Sequence, residues 1–177
     1  VVSVGLMHWP CQDKNGQEIT TAITNLDLHD LSRVCLTYGI DTLYIVHPYQ
    51  RQLEFARRIM DHWLDGFGGE YNPLRKKAFE IVRLAKNLDE VQQATGAYMV
   101  GTSAKNVDGC ISWDEARSLV RTRDVCLLFG TGWGLSSRLF RELDAVIEPI
   151  AGEGDFNHLS VRSAVSIALD RILGRNP

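Results

Sequence analysis

Apolar residues follow two rhythms along this chain. Short unbroken runs at 1–7, 43–46, 79–84, 98–100, 125–129 and 145–150 predict six strands, the fifth continuous enough to be buried on both faces. Between them the spacing turns helical. Leu28, Leu31, Cys35 and Tyr38 line one stripe of a helix that Thr24 or Asn25 caps, with Asp27 and Asp30 near its positive end and Gly39 ending it. Leu53, Ala56, Ile59, Met60 and Trp63 share a face of a helix over 50–63. Further helices are expected over 88–94, over 113–121 behind a Ser112–Glu115 capping box, over 135–143 and over 159–173. Trp9-Pro10 is expected to stop the first strand, leaving a polar loop over 11–21. The glycine-rich segment 65–69 reads as a plain crossover, or as a flap over a substrate.

Strands alternating with helices define an α/β fold, a mainly parallel sheet flanked by helices, and 1–177 reads as one domain. In such sheets ligands sit at the carboxyl ends of the strands. Those ends carry Gly101-Thr102-Ser103-Ala104, Gly130-Thr131-Gly132-Trp133-Gly134 and the loop from Ile150 to Asn157, three small, polar or glycine-rich segments fit to share one pocket. GTGWG is neither the dinucleotide pattern GxGxxG nor a P-loop, and by itself it is equally a tight connection without a ligand.

Composition narrows the classes. The chain is 45% hydrophobic and 23% charged, which suits one soluble core; no apolar run reaches membrane-spanning length, and no signal-peptide pattern opens it. A net charge of −3 gives no global attraction to nucleic acid, although Arg51, Arg57 and Arg58, Arg75, Lys76 and Lys77, and Arg117, Arg121 and Arg123 form local clusters. Cys11, Cys35, Cys110 and Cys126 form no CxxC pair, which points to a reducing, cytoplasmic setting. The histidines have no HxxxH or HExxH spacing, so no metal is expected.

Three blocks taken together resemble the SPOUT (α/β-knot) class of S-adenosylmethionine-dependent RNA methyltransferases. They are Asn25 through Arg33 to Gly39, the segment LLFGTGWGL, and IEPIAGEGDFNHLSVRSAVSIALD. With YNPLRKKAF and FNHLSVRSAV, the pattern is most similar to the Tm1570-type branch, sometimes fused to a tRNA guanine methyltransferase. Two positions depart from the class: Thr131-Gly132-Trp133 stands where a glutamate is usual, and Ser160 and Arg162 stand where asparagine and serine are usual.

The resemblance implies a deep C-terminal trefoil knot, a homodimer and an RNA substrate, tRNA in the first place. It implies S-adenosylmethionine as cofactor, S-adenosylhomocysteine as product, no metal and no membrane. A fused or cooperating tRNA methyltransferase domain is a further implied partner. Cofactor contacts would come from Thr102, Ser103, Leu128, Phe129, Gly130, Gly132, Trp133, Gly134, Ile150, Leu159, Ser160 and Ser163, with side chains at Gly130 or Gly134 intruding on the ligand. Arg33, Asn25, Asp155 and His158 are the catalytic candidates. Each has a structural alternative: Arg33 pairing with Asp30, Asn25 capping its helix, Asp155 and Asn157 capping the last helix, and Arg162 pairing with Asp155 or Glu153. The last helix carries a small-residue ridge, Ser160, Ala164 and Ala168, beside an apolar stripe of Val161, Val165, Leu169 and Ile172. The reaction implied is ribose 2′-O methylation, with a base-nitrogen (guanine N1-type) methylase as alternative. From other classes stand a nucleotide-binding oxidoreductase and a noncatalytic RNA- or nucleotide-binding module.

Overall fold

Strand β1 (Val2–Gln12) is the centre of the molecule, and its alternation builds both cores. Val2, Val4 and Leu6 point to one face; Met7 points to the other. The computed structural model describes residues 1–175. The other elements follow as β2 (Glu18–Ile19), α1 (Asn25–Thr37), β3 (Thr42–Val46), α2 (Gln50–Leu64), α3 (Phe67–Tyr71), α4 (Pro73–Phe79) and β4 (Val82–Ala85). Then come α5 (Leu88–Thr95), β5 (Tyr98–Gly101), α6 (Trp113–Thr122), β6 (Val125–Gly132), β7 (Ala145–Val146) and α7 (Val161–Leu173).

The sheet order is β4-β3-β1-β6-β5-β7, all parallel, with β2 added antiparallel to the end of β1. Parallel strands need crossovers, so helices cover both faces. On one face Leu28, Leu31 and Cys35 of α1, Met60 of α2, Phe79 of α4 and Val165, Leu169 and Ile172 of α7 pack on Val4, Leu6, Ile45, Leu127 and Phe129. On the other, Val91 of α5 joins Leu135 and Leu139 over Met7, Val46, Met99, Cys126 and Leu128. The α/β reading of the sequence holds. All four cysteines are free thiols.

The caps follow local chemistry. The Thr24 hydroxyl accepts from the Asp27 amide at 3.1 Å, and Gly39 ends the first helical segment at a φ of 72°. Ser112 and Glu115 satisfy each other's backbone, as the capping box requires.

Several boundaries differ from the sequence reading. β1 runs through Pro10 to Gln12, because proline falls where pairing with β6 shifts register between Met7 and Gln12 and no ladder donor is needed. The polar loop over 11–21 therefore contains β2. Within the glycine-rich segment 65–69 the short helix α3 begins, at Phe67. Phe79 ends helix α4, which Asn72 caps and Pro73 begins, so the next strand starts only at Val82. Residues 135–143 hold only a short 3₁₀ turn, Leu139–Glu142, since Leu135 bridges to Cys11 and the Ser136 amide donates to the Pro10 carbonyl. β7 stops at Val146, and the chain leaves the sheet before Pro149. Finally, Ser160 caps α7 by accepting from the Ser163 amide at 3.2 Å, a role assigned above to Asp155 and Asn157.

Candidate functional site

The carboxyl ends of β5, β6 and β7 converge, as the sheet topology requires. Thr102 ties the first to the second: its amide and its hydroxyl both donate to the Leu128 carbonyl, at 3.1 and 2.9 Å. The side chains of Leu128 and Phe129 are buried in opposite cores. These two residues build the floor from below.

The GTGWG turn is closed on its own protein. A Cβ at Gly130 would stand 2.4 Å from the Leu135 amide nitrogen and 2.6 Å from the Gly134 carbonyl carbon, so the backbone itself fills the space. Gly134, at a φ of 99°, faces open space instead. The Trp133 amide donates to the Gln12 carbonyl and the Gly134 amide to the Thr131 carbonyl, each at 3.0 Å. With those donors turned inward, the turn is no anion cradle. What it presents outward is the Trp133 ring, 52% exposed and stacked on His158 with centroids 4.6 Å apart.

Beside it lies a cleft of about 470 Å³, lined by Ala104, Lys105, Asn106, Glu148, Pro149, Ala151 and Asn157. The Asn157 side chain donates to the Ala104 carbonyl at 3.0 Å and draws the two walls together. Glu148 is held by accepting from the Trp113 amide at 3.0 Å. Ser103 and Ile150 directly adjoin lining residues, Thr102 stands two residues before Ala104, and Asp155 and His158 lie within two residues of Asn157 on exposed backbone. Lys105, Asn106 and Glu148 carried no motif that singled them out.

Other candidates gather elsewhere. Arg33, Ser160 and Ser163 line a groove of about 810 Å³ between α1 and α7, with Asp30, Val34, Thr37, Tyr38, Arg162 and Ile167 among its walls. Arg33 does not pair with Asp30. Arg162 takes that carboxylate at 2.9 Å and Asp27 at 3.4 Å, and makes no pair with Asp155 or Glu153. Among the described residues Arg33 forms no ion pair. Asn25 is exposed at the start of α1, where its neighbour Thr24 makes the cap. Leu159 is exposed, and Ser160 and Ser163 join their hydroxyls at 3.0 Å. The segment 157–163 links cleft and groove.

Under the turn sits a buried polar chain that the sequence did not reveal. The Thr131 hydroxyl donates to the Met7 carbonyl at 3.1 Å, so Thr21 must donate to Thr131, and His8 Nδ1–H in turn donates to Thr21 at 2.9 Å. His8 Nε2 is then a bare acceptor without a partner. Burial, with His47 adding to it, pushes the His8 imidazole down to about 3. His47 accepts the Tyr49 amide at Nδ1 and donates from Nε2 to the Thr21 carbonyl, and burial lowers it as well. Glu18 on β2 receives Ser136 and Arg138, each at 2.7 Å, and those partners hold its carboxyl below the usual range. Thus β1 and β2 brace the turn from both sides.

A parallel α/β sheet with a polar cleft at its carboxyl edge, walled by the loops after β5 and β7, is the arrangement in which open α/β sheets hold nucleotide-like ligands. Among the described residues there is no cluster of metal-ligating side chains, and no helix long and apolar enough to cross a membrane. The model of a SAM-dependent RNA methyltransferase family matches residues 1–174, and the chain belongs to that family. It is 39% identical to an uncharacterized protein of Aquifex aeolicus, over 99% of this chain and 89% of that one. It is 35% identical to a tRNA (guanine-N(1)-)-methyltransferase of Oleidesulfovibrio alaskensis, over 96% of this chain but only 41% of that protein. In fold the chain resembles several solved structures, among them a probable methyltransferase of Bordetella pertussis, 14% identical with a TM-score of 0.64 over 97% of this chain and 93% of that one. Another, described as giving insight into the 2-OH methylation of C/U34 on tRNA, is 18% identical with a TM-score of 0.58, covering 98% of this chain and 97% of its own.

Proposed function

We propose that this chain methylates a ribose 2′-oxygen of RNA, a tRNA in the first instance, as a homodimer with S-adenosylmethionine in the cleft beside the GTGWG turn. The observation that carries this reading is Arg33, a cation left without a carboxylate in a groove shared with Ser160 and Ser163, because Arg162 neutralises both Asp27 and Asp30. An unpaired guanidinium on a groove wall suits an RNA phosphate, which it grips with two parallel donors. Arginine stays protonated at any working pH, so it orients the ribose rather than taking its proton.

The cleft suits the cofactor. Its volume lies in the range of small-molecule sites, roughly 300–1,000 Å³. Glu148 and Asn157 offer polar atoms to ribose hydroxyls and an adenine edge, while Ala104, Pro149 and Ala151 give a smooth apolar wall. S-Adenosylmethionine, when bound, supplies a methyl group on a positively charged sulfur. Its methyl would pass to the 2′-oxygen, leaving the neutral thioether of S-adenosylhomocysteine, and the 2′-hydroxyl proton would have to be taken up by the protein. His158, its ring oriented by Trp133, takes that proton at a ring nitrogen, with Asp155 in the same loop as the other acceptor. The likeness to a structure concerned with 2-OH methylation of tRNA supports the ribose as target. The chain's return from β7 at the sheet edge to α7 beneath β6 suits the trefoil path expected of this class.

The guanine-N1 alternative rests on the Oleidesulfovibrio relative's name. Since the match spans two fifths of that protein, the named activity belongs equally well to the remainder. Methyl transfer to bulk tRNA followed by nuclease digestion and mass spectrometry separates the readings. A 2′-O-methylated nucleoside is expected from the wild type. Arg33→Ala should lose about a hundredfold in rate or more, while calorimetry shows unchanged affinity for S-adenosylhomocysteine. Appearance of 1-methylguanosine instead would transfer the assignment to base methylation.

A further inference from the structure

Helix α2 carries an outward stripe that cofactor chemistry does not use. Arg51, Phe55, Arg58 and His62 follow at steps of four, three and four residues, which places all four on one narrow arc of the helix. The arc lies opposite the buried Leu53, Ala56 and Met60. All four side chains are exposed, and among the described residues neither arginine has an ion pair. Glu54 and Asp61 fall to one side of the arc, alongside Arg57.

The stripe ends at α3, whose pattern is turned inside out. Gly68 and Gly69 are its buried residues, and a Cβ at either would collide, with the His62 ring at 2.7 Å or the Trp63 carbonyl at 2.3 Å. The glycines thus let α3 lie flat against the end of α2. Its aromatic residues, Phe67 and Tyr71, are left outside, 71% and 78% exposed, with ring centroids 6.1 Å apart and planes inclined by only 25°. Leu74, 80% exposed, follows. A soluble chain gains nothing from displaying two parallel aromatic rings and burying glycine, unless something stacks on them.

We infer that this stripe and aromatic pair form a docking strip for single-stranded RNA, separate from the cofactor cleft. Alternating cations and rings match a strand that offers phosphates on one side and base faces on the other. The stretch from Arg51 to His62 is about 16 Å long, and α2 begins just after β3, at the carboxyl end of the sheet but on the other side of β1 and β6 from the cleft. The strip therefore leads away from the reaction site along the outside of the molecule. This inference rests on the RNA-substrate reading above.

The test uses a short unstructured, fluorescently labelled oligoribonucleotide and the wild-type protein, read by anisotropy across a salt series. Phe67→Ser with Tyr71→Ser should weaken binding about tenfold or more by removing two stacking faces. Arg51→Ala with Arg58→Ala should lower the slope of log affinity against log salt by about 0.7 for each cation removed. Both pairs should retain wild-type affinity for S-adenosylhomocysteine, which shows that the fold and cleft survive. RNA affinity and salt slope equal to wild type would overturn the proposal. So would unchanged RNA affinity together with loss of wild-type self-association in sedimentation, which would assign the patch to a protein partner. A wild type with no RNA affinity would remove the RNA-substrate reading and this strip together.

Discussion

His8 is buried, neutral and bonded at one nitrogen only, beneath a turn whose position it helps to set. Its folded-state value near 3 lies below the unfolded value of about 6.5, so the unfolded chain takes up the proton first as pH falls. The neutral imidazole's contribution is complete above about pH 6.5 and is lost on the way down toward pH 3, by at most about 1.4 kcal/mol per pH unit. His47, lowered in the same direction, adds to the same slope. Urea denaturation at pH 7 and pH 5 should therefore show a clear drop for wild type. In His8→Gln the drop should be shallower, since one of the proton uptakes is gone while those of His47 and His29 remain; an equal drop in both proteins would mean that His8 does not titrate with unfolding. Arg33 and Arg162 teach a second lesson at this scale. Both line the groove that holds Asp30, and the one from the other end of the chain takes its carboxylate together with that of Asp27.

At the scale of elements, the ends of helices and strands decide where function sits. The Ser112–Glu115 box starts α6, and the Trp113 amide that opens that helix also donates to Glu148 of the cleft. Ser112→Ala should cost about 1 kcal/mol of stability in chemical denaturation. It should also weaken S-adenosylhomocysteine binding modestly, by loosening the amide that holds Glu148; a stability loss with unchanged affinity would separate the helix start from the cleft. The shortness of β7 matters equally. By leaving the sheet after Val146, the chain frees Glu148, Pro149 and Ala151 to wall the cleft rather than extend an edge strand.

For the whole molecule, α1 and α7 meet across the groove that holds Arg33, with Val34 and Ile167 as its apolar members. The proposed homodimer would cover the apolar side of this groove, at Val34 and Ile167, and leave Arg33 open to RNA. Ile167→Glu is accordingly expected to shift the protein to monomer in size-exclusion chromatography and to abolish methyl transfer, while leaving the cooperative thermal transition of the fold. A dimer that survives this charge would place the contact elsewhere. The basic-aromatic strip on α2 lies on a different helix, so its variants should leave the dimer intact.

The sequence by itself determined the alternation of strands and helices, the cap at Ser112, a start of the first helix at Thr24 or Asn25, and small or glycine-rich segments at the carboxyl ends of the strands. These are short-range properties: periodicity, capping chemistry and backbone freedom act within a turn or two of the chain. It also carried the family, through three blocks spread over the chain and matched in order. Only the tertiary structure decided that Phe79 closes a helix, because a short run such as 79–84 suits either state until a cap such as Asn72 commits its start. Only it showed that residues 135–143 are pinned to β1 and β2 instead of coiling. It also revealed that Gly130 makes room for the chain's own turn, that Arg162 rather than Arg33 answers Asp30, and that His8, Thr21 and Thr131 share one buried hydrogen-bond chain. Each depends on residues far apart in sequence brought to contact distance, and no local pattern encodes which of several nearby charges or hydroxyls will meet.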